Sequence, residues 1–164
     1  MVHFQEDEEH LKSDFMNFSQ LLDSQGLEGA LGFLNSRTPH RFTGIYQYSG
    51  EVLANLALFD GVVGGLVKGD DFPMETTYCA LVQHQPSKTM EFHDITTEDR
   101  LTRNEKSPVV SYCGVLISDE QGQPFGTLCH FDVNRCQERV SDIPLLQKAA
   151  QLLYRYFVSQ ESSR

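Results

Sequence analysis

Residues 109–132, Val-Val-Ser-Tyr-Cys-Gly-Val-Leu-Ile-Ser-Asp-Glu-Gln-Gly-Gln-Pro-Phe-Gly-Thr-Leu-Cys-His-Phe-Asp, constrain the fold more than any other part of the chain. They read as two β-strands folded back on each other, joined by a polar turn around Gly122. Alternation places Tyr112, Gly114 and Leu116 on one face of the first strand, opposite Ser111, Cys113, Val115 and Ile117. In the second strand Leu128, His130 and Asp132 share a face, opposite Cys129 and Phe131. Both faces of each strand carry apolar residues, so both must be covered. The reading is an α+β fold. A central, mainly antiparallel sheet has the N- and C-terminal helices on one face and a loop- and helix-covered cavity on the other.

Flanking patterns supply the covers. Leu11, Phe15, Phe18 and Leu22 step by four, three and four, which is one stripe of a helix. Ser24-Gln25-Gly26 interrupts it, and a second helix carries Leu27, Ala30, Leu31 and Leu34 before Pro39 stops it. Residues 42–48 and 51–59 read as a hairpin turning at Ser49-Gly50. Residues 60–71 hold four glycines and read as a loop. A helix is expected over 74–84, a short strand over 89–93, and a polar, irregular segment over 94–108. Ser141 or Asp142 caps the last helix, with Pro144 in its first turn. Its stripe is Ile143, Leu146, Ala150, Leu153 and Phe157. Two uses of the terminal stripes stand side by side: covering their own sheet, or pairing with a second copy. The division that follows is an acidic flexible tail over 1–10 and a single domain over 11–160. Within it, 11–36 form the N-terminal helices, 42–133 the sheet and pocket loops, and 142–160 the C-terminal helix.

Charge excludes some functions. Thirteen basic residues stand against 23 acidic ones, for a net charge of −10. Such a surface repels nucleic acid and anionic membranes, and no Lys/Arg cluster offsets it. The first 20 residues lack a signal-peptide pattern, and no apolar run approaches a membrane span. The four cysteines, Cys79, Cys113, Cys129 and Cys136, show no CxxC spacing, so reduced thiols in a cytoplasmic protein are expected. The six histidines form no HExxH and no Cys/His finger spacing, so no metal is expected. The glycine-rich loop lacks a P-loop ending and a GxGxxG. No Gly-x-Ser-x-Gly elbow occurs, and no catalytic residue is assigned.

Tyr112-x-Gly114-Val115-Leu116, the turn with Gly122, and Gly126-Thr127-Leu128-Cys129-x-Phe131-Asp132 resemble the closing hairpin of GAF domains. Tyr78-Cys79, Asp94, Asp99-Arg100-Leu101 and Pro108-Val109 fall in the same order as in that family, over roughly residues 40–158. Leu116 stands where many relatives have proline. In phytochrome-like members a histidine lies beside the cysteine, as in Cys129-His130, and lines the chromophore pocket. A tyrosine stands where Tyr46 does, and an acidic-x-Pro segment where Asp71-Phe72-Pro73 does. The resemblance therefore implies a ligand site of Tyr46, Tyr112 and His130, with Asp71, Phe72 and Thr77 near its mouth and 94–108 as a lid. On this reading Cys129 faces the terminal helices.

Each of these residues has a plainer alternative. His130 suits a hydrogen-bonded strand histidine, Tyr46 and Tyr112 suit core residues, and Asp94 and Asp99 suit turns or caps. No cysteine stands where those relatives attach a bilin. Cys79, Cys113 and Cys129 read as small buried hydrophobes. Cys136, between Arg135 and Arg139, has the setting most able to lower a thiol pKa, against the plainer reading of a surface-loop cysteine. The free methionine-R-sulfoxide reductases of the family place cysteines around the helix and lid, where this chain has Cys79 and a lid with none. The function expected from the resemblance is a small-molecule-sensing regulatory module in signal transduction. It would act as a homodimer through its terminal helices, without its own output domain, on a separate signalling protein. The ligand and any cofactor stay unidentified. The alternatives are a ligand-free protein–protein interaction module and a thiol-dependent free methionine sulfoxide reductase.

Overall fold

The computed structural model of the chain describes residues 2–137 and 140–162. Its long N-terminal helix α1, Val2–Ser36, is two helices joined at Gly26, whose φ of 69° and ψ of −159° break the helical path. A left-handed φ costs a glycine little, which is why the break falls there. Helix α1 runs back to Val2 through residues expected to form an acidic tail. The sheet comprises β1 (Phe42–Ser49), β2 (Val52–Asp60), β3 (Gly65–Val67), β4 (Phe72–Pro73), β5 (Thr89–Phe92), β6 (Ser111–Ser118) and β7 (Pro124–Asp132). Its order is β3-β2-β1-β7-β6-β5, with β4 paired to β2, and all the pairings are antiparallel. Helix α3, Ile143–Ser162, closes the described chain. This is the α+β arrangement expected from the sequence.

Segment 74–84, expected to be one helix, is instead a 3₁₀ turn, Met74–Thr76, and a four-residue helix α2, Cys79–Val82. Local hydroxyls compete with the helical ladder there. Thr76 Oγ1 donates to the Pro73 carbonyl, and Thr77 Oγ1 donates to the Met74 carbonyl while accepting from the Ala80 amide.

The sheet separates two apolar cores. On one side α1 contributes Phe18, Leu22, Leu31 and Leu34, and α3 contributes Leu146, Ala150 and Leu153. These pack against Ile45, Phe59, Cys113, Val115, Ile117 and Leu128 of the sheet. Both helical stripes are thus used within one subunit. Fully burying one such leucine is worth about 1.5–3 kcal/mol, so this layer dominates stability. On the other side Tyr46, Leu53, Tyr112 and Cys129 meet Tyr78, Cys79 and Val82 around α2 and Met90, Phe92 and Ile95 beyond it.

The pairing of β6 with β7 decides which side chains meet. Ser118 pairs with Pro124, but Ile117 pairs with Gly126, so Phe125 is a one-residue bulge. Beyond it Tyr112 opposes Phe131 and Cys113 opposes His130. Directly opposed residues share a face, so the bulge reverses the phase that unbroken pairing would give. His130 consequently lies with Cys113 on the helical side, and Cys129 lies with Tyr112 on the other. Both are corrections to the sequence reading.

Candidate functional site

A cavity of about 160 Å³ lies between the sheet and the α2–loop layer. Its floor includes Tyr46 of β1, Tyr112 of β6, and Cys129 and Phe131 of β7. Its roof includes Thr77 and Cys79, and Ser107, Pro108 and Val109 close one wall. Phe72, Lys106 and Val133 line it while being 40%, 61% (side chain) and 49% exposed, which marks its mouth.

The floor depends on two glycines. A Cβ at Gly114 would sit 2.5 Å from the Tyr112 hydroxyl, so the missing side chain lets the Tyr112 ring lie along the strand. A Cβ at Gly44 would meet Tyr46 Cε2 at 2.9 Å in the same way. The roof is tied down by hydrogen bonds from β1 and from the 94–108 segment. The Tyr48 hydroxyl donates to the Cys79 carbonyl at 2.6 Å. Tyr78 Oη accepts from the Asn104 amide at 2.9 Å, and Asn104 Nδ2 donates to the Glu75 carbonyl at 2.9 Å. Of residues 94–108, expected to form a lid, Lys106, Ser107 and Pro108 line the cavity, and Asn104 anchors the segment to the roof. Asp94 is the cap that its plainer reading describes, accepting from the amide and hydroxyl of Thr96.

Of the six residues in the sequence-derived site, Tyr46, Phe72, Thr77 and Tyr112 line the cavity. Asp71 does not. Its carboxylate accepts from the Asn55 amide at 2.8 Å and so braces the strand edge beside Phe72. His130 is fully buried on the opposite face of the sheet. Its Nδ1 is 2.7 Å from Thr43 Oγ1 and its Nε2 is 3.0 Å from Asp142 Oδ2. The carboxylate can only accept, so the proton sits on Nε2, and in the neutral ring Nδ1 accepts from Thr43. Thr43 Oγ1 in turn accepts from Asn35 Nδ2 at 3.0 Å, and Arg37 bridges Asp142 and Asp14. This polar chain joins the α1, β1, β7 and α3 ends of the helical layer.

Two residues of the site escaped the sequence reading. Cys79 and Cys129, 50 positions apart, bring their Sγ atoms to 3.9 Å, and Cys79 Sγ is 3.1 Å from the Tyr112 hydroxyl. Burial pushes the Cys79 thiol up, but the neighbouring Cys129, Thr127 and Tyr112 favour its thiolate, outweigh burial, and make the net shift downward. Burial drives Cys129 and Tyr112 upward, and Tyr46 as well. Cys136, whose arginine neighbours favour a lowered pKa, is instead shifted up, by burial first and then by Glu91 and Asp132. Arg139 lies outside the described residues. No sequence spacing pairs Cys79 with Cys129, because their approach depends on α2 folding over β7. Among the described residues, no group of three or more His, Cys, Asp or Glu is placed to hold a metal, and no helix is long and apolar enough to cross a membrane.

Chemically, the cavity is lined by apolar walls, three tyrosines, two threonines, one serine and two cysteines. That suits a compact, mostly apolar molecule with one or two hydrogen-bonding groups.

No protein-family model matches the sequence, and no curated protein matches it. Solved structures do resemble it. The GAF domain from an Acinetobacter phosphoenolpyruvate-protein phosphotransferase superposes with a TM-score of 0.70 at 11% identity, over 94% of this chain and 96% of that one. Free methionine-R-sulfoxide reductase from Neisseria meningitidis, in complex with its substrate, gives 0.64 at 16% identity over 90% and 87%. The chromophore-binding domain of a Stigmatella aurantiaca bacteriophytochrome gives 0.60 at 12% over 94% and 60%. The chain has the GAF fold. Proteins sharing it include a phosphotransferase domain, a reductase and a chromophore-binding domain, so the fold by itself leaves the activity open.

Proposed function

We propose that this chain is a small-molecule-sensing GAF module that acts in signalling. The observation that carries the reading is the apolar cavity between the sheet and the anchored lid, bounded by the Tyr46 and Tyr112 side chains. Strand β7 offers the route outward. Cys129 and Phe131 face the cavity, while Leu128 and His130, alternating with them, face the helical layer. A ligand that favours one position of β7 also favours one arrangement of α1 and α3, in proportion to its differential affinity for the two. A homodimer through the terminal helices belongs to this proposal. It would use their outer surfaces, where Met16 of α1 is 52% exposed, since the apolar stripes are already packed.

The test is native mass spectrometry of the protein as purified from cells. The expected result is a discrete added mass that disappears in Val109→Trp, which fills the cavity. Retention of that mass by a folded Val109→Trp protein places the ligand elsewhere and sinks the site. Sedimentation of the wild type against Met16→Glu tests the dimer, and a wild-type monomer at working concentration removes it.

A second reading, a thiol-dependent reductase of free methionine sulfoxide, is favoured by the two cavity thiols and by the likeness to the Neisseria enzyme. The absence of cysteine from residues 94–108 ranks it second. Unchanged turnover of free methionine sulfoxide by Cys79→Ser would remove it.

A further inference from the structure

From the placement of Cys79 and Cys129 at the cavity wall, we infer that the two thiols form a redox couple that a small hydroperoxide converts to a disulfide. The inference needs neither a resident ligand nor sulfoxide chemistry.

Four observations converge on it. The two sulfurs face each other at 3.9 Å, within van der Waals contact, and a disulfide bond of about 2 Å needs a closure of about 2 Å. Cys79 is carried by α2, a four-residue helix flanked by turns, whereas Cys129 is held at the middle of β7, between β1 and β6. Closure therefore comes from the short roof helix moving toward the sheet, with the Tyr48 bond to the Cys79 carbonyl keeping it over β7. Both cysteines line the cavity, so a reagent the size of hydrogen peroxide reaches them through the mouth at Phe72, Lys106 and Val133. Finally, Thr127 Oγ1 is fully buried, and among the described residues no partner lies within hydrogen-bonding distance of it. It is nonetheless near enough to Cys79 to favour the thiolate. A buried hydroxyl without a partner is costly, and a thiolate or an oxygen on Cys79 supplies the missing acceptor.

The chemistry balances within this pair. Ionised Cys79 attacks one peroxide oxygen, the O–O bond breaks, and hydroxide leaves. Cys79 becomes a sulfenic acid, two electrons having passed from sulfur to peroxide. The hydroxide takes the Cys129 thiol proton and becomes water. The Cys129 thiolate attacks the Cys79 sulfur, forming the S–S bond and expelling the sulfenic oxygen as a second hydroxide. That hydroxide takes up the proton released when Cys79 ionised. In total, two thiols and one hydrogen peroxide give one disulfide and two waters, and an external dithiol reverses the couple. Closure draws α2 onto β7 and narrows the cavity from its roof, so the oxidised form binds cavity ligands more weakly than the reduced form.

Peptide mapping of the intact wild-type chain tests this without any substitution. The protein is exposed to substoichiometric hydrogen peroxide, its remaining thiols are alkylated in denaturant, and the peptides are identified. The expected product is a Cys79–Cys129 crosslink that dithiothreitol removes. It should form at least about tenfold faster than oxidation of the more accessible Cys136, because attack follows thiolate fraction rather than exposure alone. Oxidation of Cys136 ahead of the pair, or a crosslink that joins Cys113 or Cys136 instead, overturns the inference. In Cys129→Ser, with the fold checked by circular dichroism, dimedone should label Cys79 after peroxide. Labelling of Cys129 in Cys79→Ser at the same rate refutes the assignment of Cys79 as nucleophile. Should either variant unfold, the wild-type map decides alone.

Discussion

Replacing His130 separates a ligand contact from a structural clamp. In His130→Ala, the bond to Thr43 and the bond to Asp142 are both lost. A neutral hydrogen bond contributes about 1 kcal/mol and one to a charged group about 1.5–3 kcal/mol. The imidazole is fully buried beside His40, with ring centroids 6.0 Å apart, so its removal leaves a void costing roughly 1 kcal/mol more. Asp142 keeps Arg37 and Thr43 keeps Asn35, which moderates the loss. The sum is about 3–5 kcal/mol, a large share of the ~5–15 kcal/mol stability of a domain. For a chain of this size that is a fall in Tm of about 6–20 °C. Urea unfolding should show a lower midpoint at an unchanged slope. His130→Leu, which fills the space but leaves the hydrogen bonds unmade, should cost about 2–3 kcal/mol. In both folded variants the mass bound in the cavity should be retained, since the residue lies across the sheet from it. A His130→Ala protein within about 1 kcal/mol of wild type would refute the clamp. Loss of the bound mass at unchanged stability would restore His130 to the ligand site.

Other outcomes follow from the same geometry. Asp60 is held below its usual range, first by its hydrogen bonds from the Arg41 guanidinium and then by the Val62 amide. A carboxyl depressed in the folded state adds stability above its unfolded pKa of about 4 and loses it as pH falls through the folded value. Asp60→Asn should therefore cost about 1–2 kcal/mol at pH 7, at the low end because Arg41 is solvated, and the gap should shrink below pH about 4 in denaturant titrations. A gap that stays constant down to pH about 2 would contradict the pairing. A Cβ at Gly126 would lie 1.9 Å from the Tyr46 carbonyl oxygen, so Gly126→Ala should destabilise by about 3 kcal/mol or more in the same assay. Gly50→Ala, at φ 63° in an open turn, should cost only about 1 kcal/mol, and equal losses at the two glycines would contradict the close approach.

The contrast between His130 and Tyr112 shows what could be read locally. Within each strand, parity is set by neighbours one and two positions away, and the assignments inside β6 and β7 agree with the structure. So do the break at Gly26 and the two helical stripes, each of which rests on spacing or on a residue's own backbone freedom, whereas the first hairpin turns one residue later than expected, at Gly50-Glu51, because Ser49 pairs with Val52. Four of the six site residues that the resemblance implies line the cavity, Tyr46 and Tyr112 from the strands and Phe72 and Thr77 from the covering segment. Residues 74–84 were misread because threonine hydroxyls and a continuous helix compete for the same backbone groups, and periodicity is blind to that contest.

By itself, then, the sequence determined a sheet apolar on both faces, helices able to cover one of them, and aromatic residues bordering the other. Tertiary structure decided how the strands are phased and what meets across the gap. The bulge at Phe125 shifts β7 by one position against β6, which exchanges His130 for Cys129 at the cavity. A one-residue shift inverts every side chain beyond it, yet its cause lies in the pairing of two strands rather than in either one. The approach of Cys79 to Cys129 is of the same kind, a contact across 50 positions that exists because α2 is held over the sheet by Tyr48 and by the lid.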